Sequence, residues 1–455
     1  NVLRVQMGGE HDIFPLLSSL MMNSCPGPGR ATAGWLEIYR ASVGTFSRMS
    51  YDVRNRGRMM GSELFNDALR HSFAAIPVPE QRKGKAGESD EGTNALAHLL
   101  WCLTLDEETR LALSEDLNFL AGAVRLLNSP ENSEVHEAIA SAAWNLSVES
   151  TAQNQLMHFP GLPEALVLHT RNPSRKVVRA SLCAISMLSN EKDNRISLLH
   201  IPRLLTNVAR MAAVEVEAED LRDITWASTL IQGSTEESFT RILEQCRLKG
   251  FKVDEESLIP AAITVPPPPP PPAEESPTGF GYAFPVWQDT QGIPDIELHR
   301  PAVSTLRNLS TVVSEGERIA SVSVVPEALA RRSLSMDDGL ATIAIQSILN
   351  LLGTASNRVP LATTEGLLDC VLLHCHSPVA KLQRLAVLCL PMMCFPQSIQ
   401  PSLARHGALV DTLIYLMQLR NPELQKAGSV ALWHLSAAYQ NHELLCSLPG
   451  VLEVL

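Results

Sequence analysis

Residues 133–147 read SEVHEAIASAAWNLS, and Val135, Ile139, Ala142, Ala143 and Leu146 fall three or four positions apart. That spacing predicts one amphipathic helix with a single apolar stripe. The polar run VESTAQN follows, then a short helix over 154–158, a Pro160-Gly161 turn, and a second apolar helix over 162–170 that Asn172 and Pro173 end. Pro163 suits the first turn of that helix. The same order of long, short and medium helix returns along the chain. The long helices are expected at 174–189, 221–232, 299–310, 339–352, 379–393 and 422–436, and the medium ones at 201–211, 239–248, 325–333, 367–375 and 409–416. Earlier, 13–22 and 64–73 have the medium pattern and 34–48 the long one.

Aligning the long helices puts Leu103, Leu146, Leu188, Leu230, Leu309, Leu351, Met393 and Leu435 in one column, in steps of 43, 42, 42, 79, 42, 42 and 42. A fixed period of this size marks a helical solenoid, in which each unit buries its apolar face on its neighbours. The long step holds seven consecutive prolines, Pro266 to Pro272. Such a run takes the polyproline II form and cannot join a helical stack. Phe46 precedes Leu103 by one period plus a surplus that matches the charged, Gly-rich stretch 79–93. The expected organisation is therefore divergent repeats over 1–78, a loop over 79–93, repeats over 94–250, a Pro-rich insert over 251–295, and repeats over 296–455 with the last one truncated.

The phrases Trp144-Asn145-Leu146-Ser147, Leu306-Arg307-Asn308-Leu309-Ser310 and Leu432-Trp433-His434-Leu435-Ser436 resemble the close of the third helix in the armadillo repeat family. The resemblance is strong from Asn94 onward and weak before it. It implies an all-α, right-handed superhelical solenoid of three-helix repeats whose third helices line a concave groove. It also implies that an Asn one place before the column leucine contacts the backbone of an extended peptide. Here that position holds Cys102, Asn145, Met187, Thr229, Asn308, Asn350, Met392 and His434. The regular Trp-and-Asn array of the importin-alpha branch is missing, so the pattern is nearer the catenin-like scaffolds.

Composition narrows the function. The net charge of −12 argues against general nucleic-acid binding. Within that acidic chain, nine positions before the column stand Arg179, Arg300, Arg384 and Lys426, against Glu137 and Leu221. If this column faces the groove it favours acidic extended segments; otherwise it is a solvated helix end. The nine cysteines show no disulfide framework and read as free thiols of a reducing compartment. No apolar run is long enough to span a membrane.

Chemical motifs are sparse. Cys370, His374, Cys375 and His376 are the best metal-like cluster, but two convergent ligand pairs are missing, and no metal or other cofactor is expected. Cys389 and Cys394 flank Pro391, which should kink its helix. No phosphate-binding glycine loop or nucleophile elbow is present. In the insert, Pro266–Pro272 followed by Phe280, Tyr282 and Trp287 reads as a stiff spacer with a pinning segment, or as a ligand for polyproline-binding modules.

The leading expectation is a non-catalytic scaffold binding other proteins through Asn145, Asn308, Asn350, His434, Arg179, Arg300 and Arg384. The alternative is a permanent structural subunit of an axonemal, cytoskeletal or organellar assembly. An enzyme is the third reading, and it needs a site hidden in the insert. The expected location is cytoplasmic, with cytoskeletal, ciliary and organellar placements as variants.

Overall fold

The structure, a computed structural model, describes residues 13–25, 33–75, 91–129, 133–213, 295–448 and 451. Among them every regular element is helical. Two units divide the molecule: the first holds the described residues through Ala213 and those from Asp295 to Arg332, and the second those from Ser333.

In the first unit the helices are α1 (Ile13–Ser24), α2 (Ala33–Met49), α3 (Val53–Met60), α4 (Glu63–Ala75), α5 (Glu91–Leu103), α6 (Glu107–Glu115), α7 (Leu117–Leu127), α8 (Ser133–Ser147), α9 (Ser150–His158), α10 (Leu162–His169), α11 (Arg175–Leu188), α12 (Lys192–His200), α13 (Leu204–Ala213), α14 (Asp295–Ser310), α15 (Gly316–Ser321) and α16 (Val324–Ser333). The second unit has α17 (Asp338–Leu352), α18 (Arg358–Thr363), α19 (Leu367–Cys375), α20 (Ala380–Cys394), α21 (Gln400–Ala404), α22 (Gly407–Gln418), α23 (Pro422–Ser436) and α24 (His442–Ser447). Each repeat is a short first helix, a medium second helix and a long third helix.

Local chemistry sets the helix ends. The carboxylates of Asp106 and Asp116 accept backbone N–H bonds at the starts of α6 and α7, and Asp337 and Asn421 do so for α17 and α23. Three of the turns from first to second helix use a left-handed residue. Gly161 supplies it at φ 83° and Gly366 at φ 70°, while Arg203 takes φ 66° at the matching place before α13.

Like packs on like. Third helices form one ladder in each unit, α2–α5–α8–α11–α14 and α17–α20–α23. First helices α3, α6, α9 and α12 form a second column, and second helices α1, α4, α7 and α10 a third. The column residues Leu103, Leu146, Leu188, Leu309, Leu351, Met393 and Leu435 are all buried between them. Pro391 lies within α20, which runs on to Cys394. The proline leaves the Val387 carbonyl without its helical donor but does not end the helix.

α14 packs directly on α11 and α13, and Asn308 donates to Ser189 Oγ at 2.8 Å. The repeat expected around Leu230, with helices over 221–232 and 239–248, lies outside the described residues. Residues 214–294 and 76–90 lie outside the described residues, and Glu91–Thr93 open α5 while Asp295 opens α14.

Other repeats join second to third helix in a few residues, from Leu127 to Ser133, His169 to Arg175 and Cys375 to Ala380. Replacing residues 216–292 by a ten-residue Gly/Ser linker should therefore keep a cooperative melt and move the melting temperature by no more than about 4 °C, the equivalent of about 1 kcal/mol or less. Loss of the cooperative melt would show that the stack needs the excised segment.

Candidate functional site

The third helices bury one stripe and turn another to solvent. On α8 the outward positions include Glu134, Glu137, Ser141, Trp144 and Asn145; on α11 they include Lys176, Arg179, Cys183 and Met187. This is where the expected ligand-contacting residues stand, and they fall into different environments.

Asn145 is half-buried, and its Nδ2 donates to Thr104 Oγ1 of the preceding repeat at 3.0 Å. Asn350 is half-buried, with Oδ1 accepting from Gln346 Nε2 at 3.0 Å. Asn308 is different. It is 3% exposed; its Nδ2 donates to Ser189 Oγ at 2.8 Å and Asn190 Oδ1 at 2.9 Å, and its Oδ1 accepts from Arg307 at 2.6 Å. Its hydrogen-bonding capacity is spent inside the chain, so a ligand-contacting role does not fit it; it joins α14 to α11. His434 lies between the Phe395 and Trp433 rings at centroid distances of 5.1 and 5.0 Å. Burial, helped by the Arg358 charge, pushes its pKa down and favours the neutral ring.

The basic column is largely paired. Arg179 forms an ion pair with Glu297 of the next third helix and lies 5.7 Å from the Trp144 ring centroid. Arg384 pairs with Glu423 of the next third helix at 3.0 Å, both side chains well exposed. Arg300 is exposed on α14. The positive column expected from the sequence therefore meets acidic residues one repeat on, which lowers its net pull on an acidic segment. Pro266, Pro272, Phe280, Tyr282 and Trp287 lie outside the described residues.

One repeated feature escaped the sequence reading. At six turns from third to first helix, a side-chain amide in the first turn of the first helix or just before it donates to a carbonyl at the end of the third. Asn55 bonds Met49 O, Gln153 bonds Ser147 O, Asn194 bonds Leu188 O, Asn357 bonds Leu351 O, Gln400 bonds Cys394 O and Asn441 bonds Leu435 O, at 2.7 to 3.2 Å. Asn194 and Asn441 also reach the carbonyls of Gln153 and Gln400 in the repeat before. The following residue adds a cation: Arg56, Arg195 and Arg358 donate to Ser50 O, Ser189 O and Leu352 O. A positive group at a helix C-terminus is favourable there. The signal was an Asn-Arg pair recurring at 55–56, 194–195 and 357–358, at a fixed offset from the column leucine in the last two.

The metal-like cluster resolves into packing. His374 Nε2 lies 2.6 Å from Ser333 O, and burial pushes the Cys370 thiol up to about 12. Cys389 and Cys394 are free, buried thiols, the latter also pushed up to about 12, so neither is a poised thiolate. Among the described residues no group of three His, Cys, Asp or Glu side chains converges. A hollow of about 490 Å³ beside Met60, Asn66 and Asp116 holds Arg70, which is tied to Asp67 and Asp116. No single described helix is long and apolar enough to cross a membrane.

Two measurements follow. Asn308→Ala strands buried partners and should lower stability by about 1–3 kcal/mol in urea unfolding, whereas half-exposed Asn145→Ala should cost less than about 1 kcal/mol. Equal costs would remove the distinction drawn between them. The second concerns His169, whose Nε2 lies 2.7 Å from Leu127 O beside the His136 ring. Burial lowers its pKa from 6.5 to about 4, and that of His136 in the same direction. The unfolded chain then binds more protons between those values, so stability is complete above pH 6.5 and declines as pH falls toward 4. For His169 the loss is on the order of 3 kcal/mol. His169→Asn, the donor used at Asn207 toward Val167 O, should flatten that slope; an unchanged slope would assign it to other groups.

No family model and no curated protein matches the chain. Solved structures with a similar arrangement include a designed armadillo repeat protein at 14% identity, covering 69% of this chain and 98% of that one with a TM-score of 0.43. Computationally designed armadillo repeat proteins for modular peptide recognition give 14%, the same coverages and a TM-score of 0.44. An engineered protein at 13% identity covers 97% of this chain and 93% of its own, with a TM-score of 0.46. The repeat architecture itself, an all-α solenoid of armadillo-like three-helix units, rests on the helix ladders described above.

Proposed function

We propose that this chain is a non-catalytic scaffold whose third-helix ladders each hold an extended segment of another protein. The carrying observation is the periodic row of half-exposed polar and aromatic side chains on the solvent side of each ladder, including Trp101, Trp144 and Asn145 in the first unit and Asn350 and His434 in the second. Packed helices lie about 8–10 Å apart, close to three residues of extended chain at about 3.3 Å each. One side chain per repeat can therefore meet every third residue of such a segment. Asn145, Asn350, His434 and Arg300 are the contacts assigned to it. Acidic ligand residues would compete with Glu297 and Glu423 for Arg179 and Arg384, so the pull of the basic column depends on salt. The buried, reduced cysteines favour a reducing compartment, and we place the protein in the cytoplasm, its cytoskeletal structures included.

Fluorescence anisotropy of the purified full chain against labelled extended peptides of acidic, basic and neutral composition tests this reading. At least one class should bind, and the Asn145→Ala/Asn350→Ala variant should weaken it by about tenfold, or 1.4 kcal/mol. Absence of binding by every class, or binding indifferent to both ladders, would sink it.

A further inference from the structure

The second unit exposes aromatic side chains that its packing does not use. Phe395, one residue beyond α20, is 52% exposed, Trp433 on α23 is 68% exposed, and Leu388 on α20 is 42% exposed. They belong to a connected row. The Arg358 guanidinium stands 4.9 Å from the Phe395 ring centroid, Phe395 is 5.1 Å from His434, and His434 is 5.0 Å from Trp433. Two successive repeats supply it, one through α18 and the end of α20 and the next through α23. Half-exposed Pro391 and Met392 lie on the same outward stripe of α20.

The fold gives no reason for these rings to face water. α23 packs through Leu424, Ala427, Gly428, Ala431, Leu432 and Leu435, and Trp433 lies off that face. In the first unit the places equivalent to Trp433 hold half-buried Trp101, Trp144 and Arg307, and the Arg179 guanidinium lies near the Trp144 ring. Exposed Trp, Phe and Arg side by side are the residue types that anchor interfaces.

The shape of the row selects a ligand. Ridges of aromatic edges receive the flat rings of a polyproline II segment, which arrives already ordered and has few N–H groups to satisfy. The surrounding charge adds a second requirement. Half-exposed Arg358 stands at the row, and exposed Lys381, Arg384 and Lys426 lie toward the starts of α20 and α23, where Arg384 pairs with Glu423, in a chain whose net charge is −12. The complement is a segment with acidic residues beside its prolines.

We propose that the Arg358–Phe395–His434–Trp433 row binds a proline-rich, acid-flanked segment of a partner protein. This rests on the reading of the ladders as peptide-binding faces and names the ligand class for the second unit.

The test uses the full chain and two fluorescein-labelled peptides read by anisotropy. One has seven prolines followed by Ala-Glu-Glu; the other replaces the prolines with Gly and Ser. The proline peptide should bind, the matched peptide should bind about tenfold more weakly or not at all, and Trp433→Ala or Phe395→Ala should each weaken the proline peptide by about tenfold. Trp35→Ala, an exposed tryptophan of the first unit, should leave binding within about twofold. Trp433→Phe, which keeps a ring, should retain part of the affinity. Circular dichroism melts establish that each variant is folded. Equal binding of the two peptides, or proline binding insensitive to Trp433 and Phe395, would overturn the assignment while leaving the ladders as peptide faces. Binding that emerges only after the chain's own Pro266–Pro272 are replaced by Gly and Ser would overturn the partner in favour of that segment. Failure of these peptides together with every acidic, basic and neutral peptide would remove the broader reading as well.

Discussion

A third helix must end inside a stack, and its last backbone carbonyls have no partner within the helix. Leaving such groups unbonded in a dry interior costs about 1–3 kcal/mol each. At six turns the stack solves this with a side-chain amide of the next first helix, as Asn194 does for Leu188 and Asn441 for Leu435. Because those two amides also touch the repeat before, these two turns are registered against their neighbours. The leucine column can then close without slipping along the helix axis, and the solvent stripe of every third helix points the same way as the last. The candidate binding faces exist because that register holds.

The stripe itself is free to vary, since its side chains carry little of the packing. In the first unit it is partly ionic, with Arg179 crossing to Glu297 of the next third helix. In the second it became aromatic around Phe395 and Trp433. One scaffold thus presents two chemically different strips, while the buried stripe stays Leu- and Ala-rich in both.

Much of the fold was legible because hydrophobic periodicity is a local signal. Helices expected at 13–22, 34–48, 64–73 and 367–375 appear at Ile13–Ser24, Ala33–Met49, Glu63–Ala75 and Leu367–Cys375. The packing partner of α14 was not legible. Period reports that a segment has repeat-like spacing, but it does not report which neighbour the next helix chooses, and α14 chose α11. The site was read less well for the same reason. Asn145 and Asn308 look identical in their phrases, yet one is half-open and the other is consumed by Ser189, Asn190 and Arg307. The partners of Arg179 and Arg384 also come from the following repeat, in one case across the insert. Pairing across repeats is a property of the stack and has no trace in the spacing of a single helix.

The sequence distance between α13 and α14 changes how the first unit comes together. Most of its inter-repeat hydrogen bonds join residues about one period apart, as Asn145 and Thr104 do at a separation of 41. Asn308 and Ser189 are separated by 119. Closing that longer loop adds on the order of 1 kcal/mol of chain entropy, since each doubling of length adds about 0.6 kcal/mol. Folding speed follows the sequence distance between contacts, so α1 to α13 can zip repeat by repeat while α14 arrives through a diffusive search. On the ribosome, everything through Ala213 can stack before residue 295 is made, leaving α11 and α13 with an open apolar face until α14 covers it.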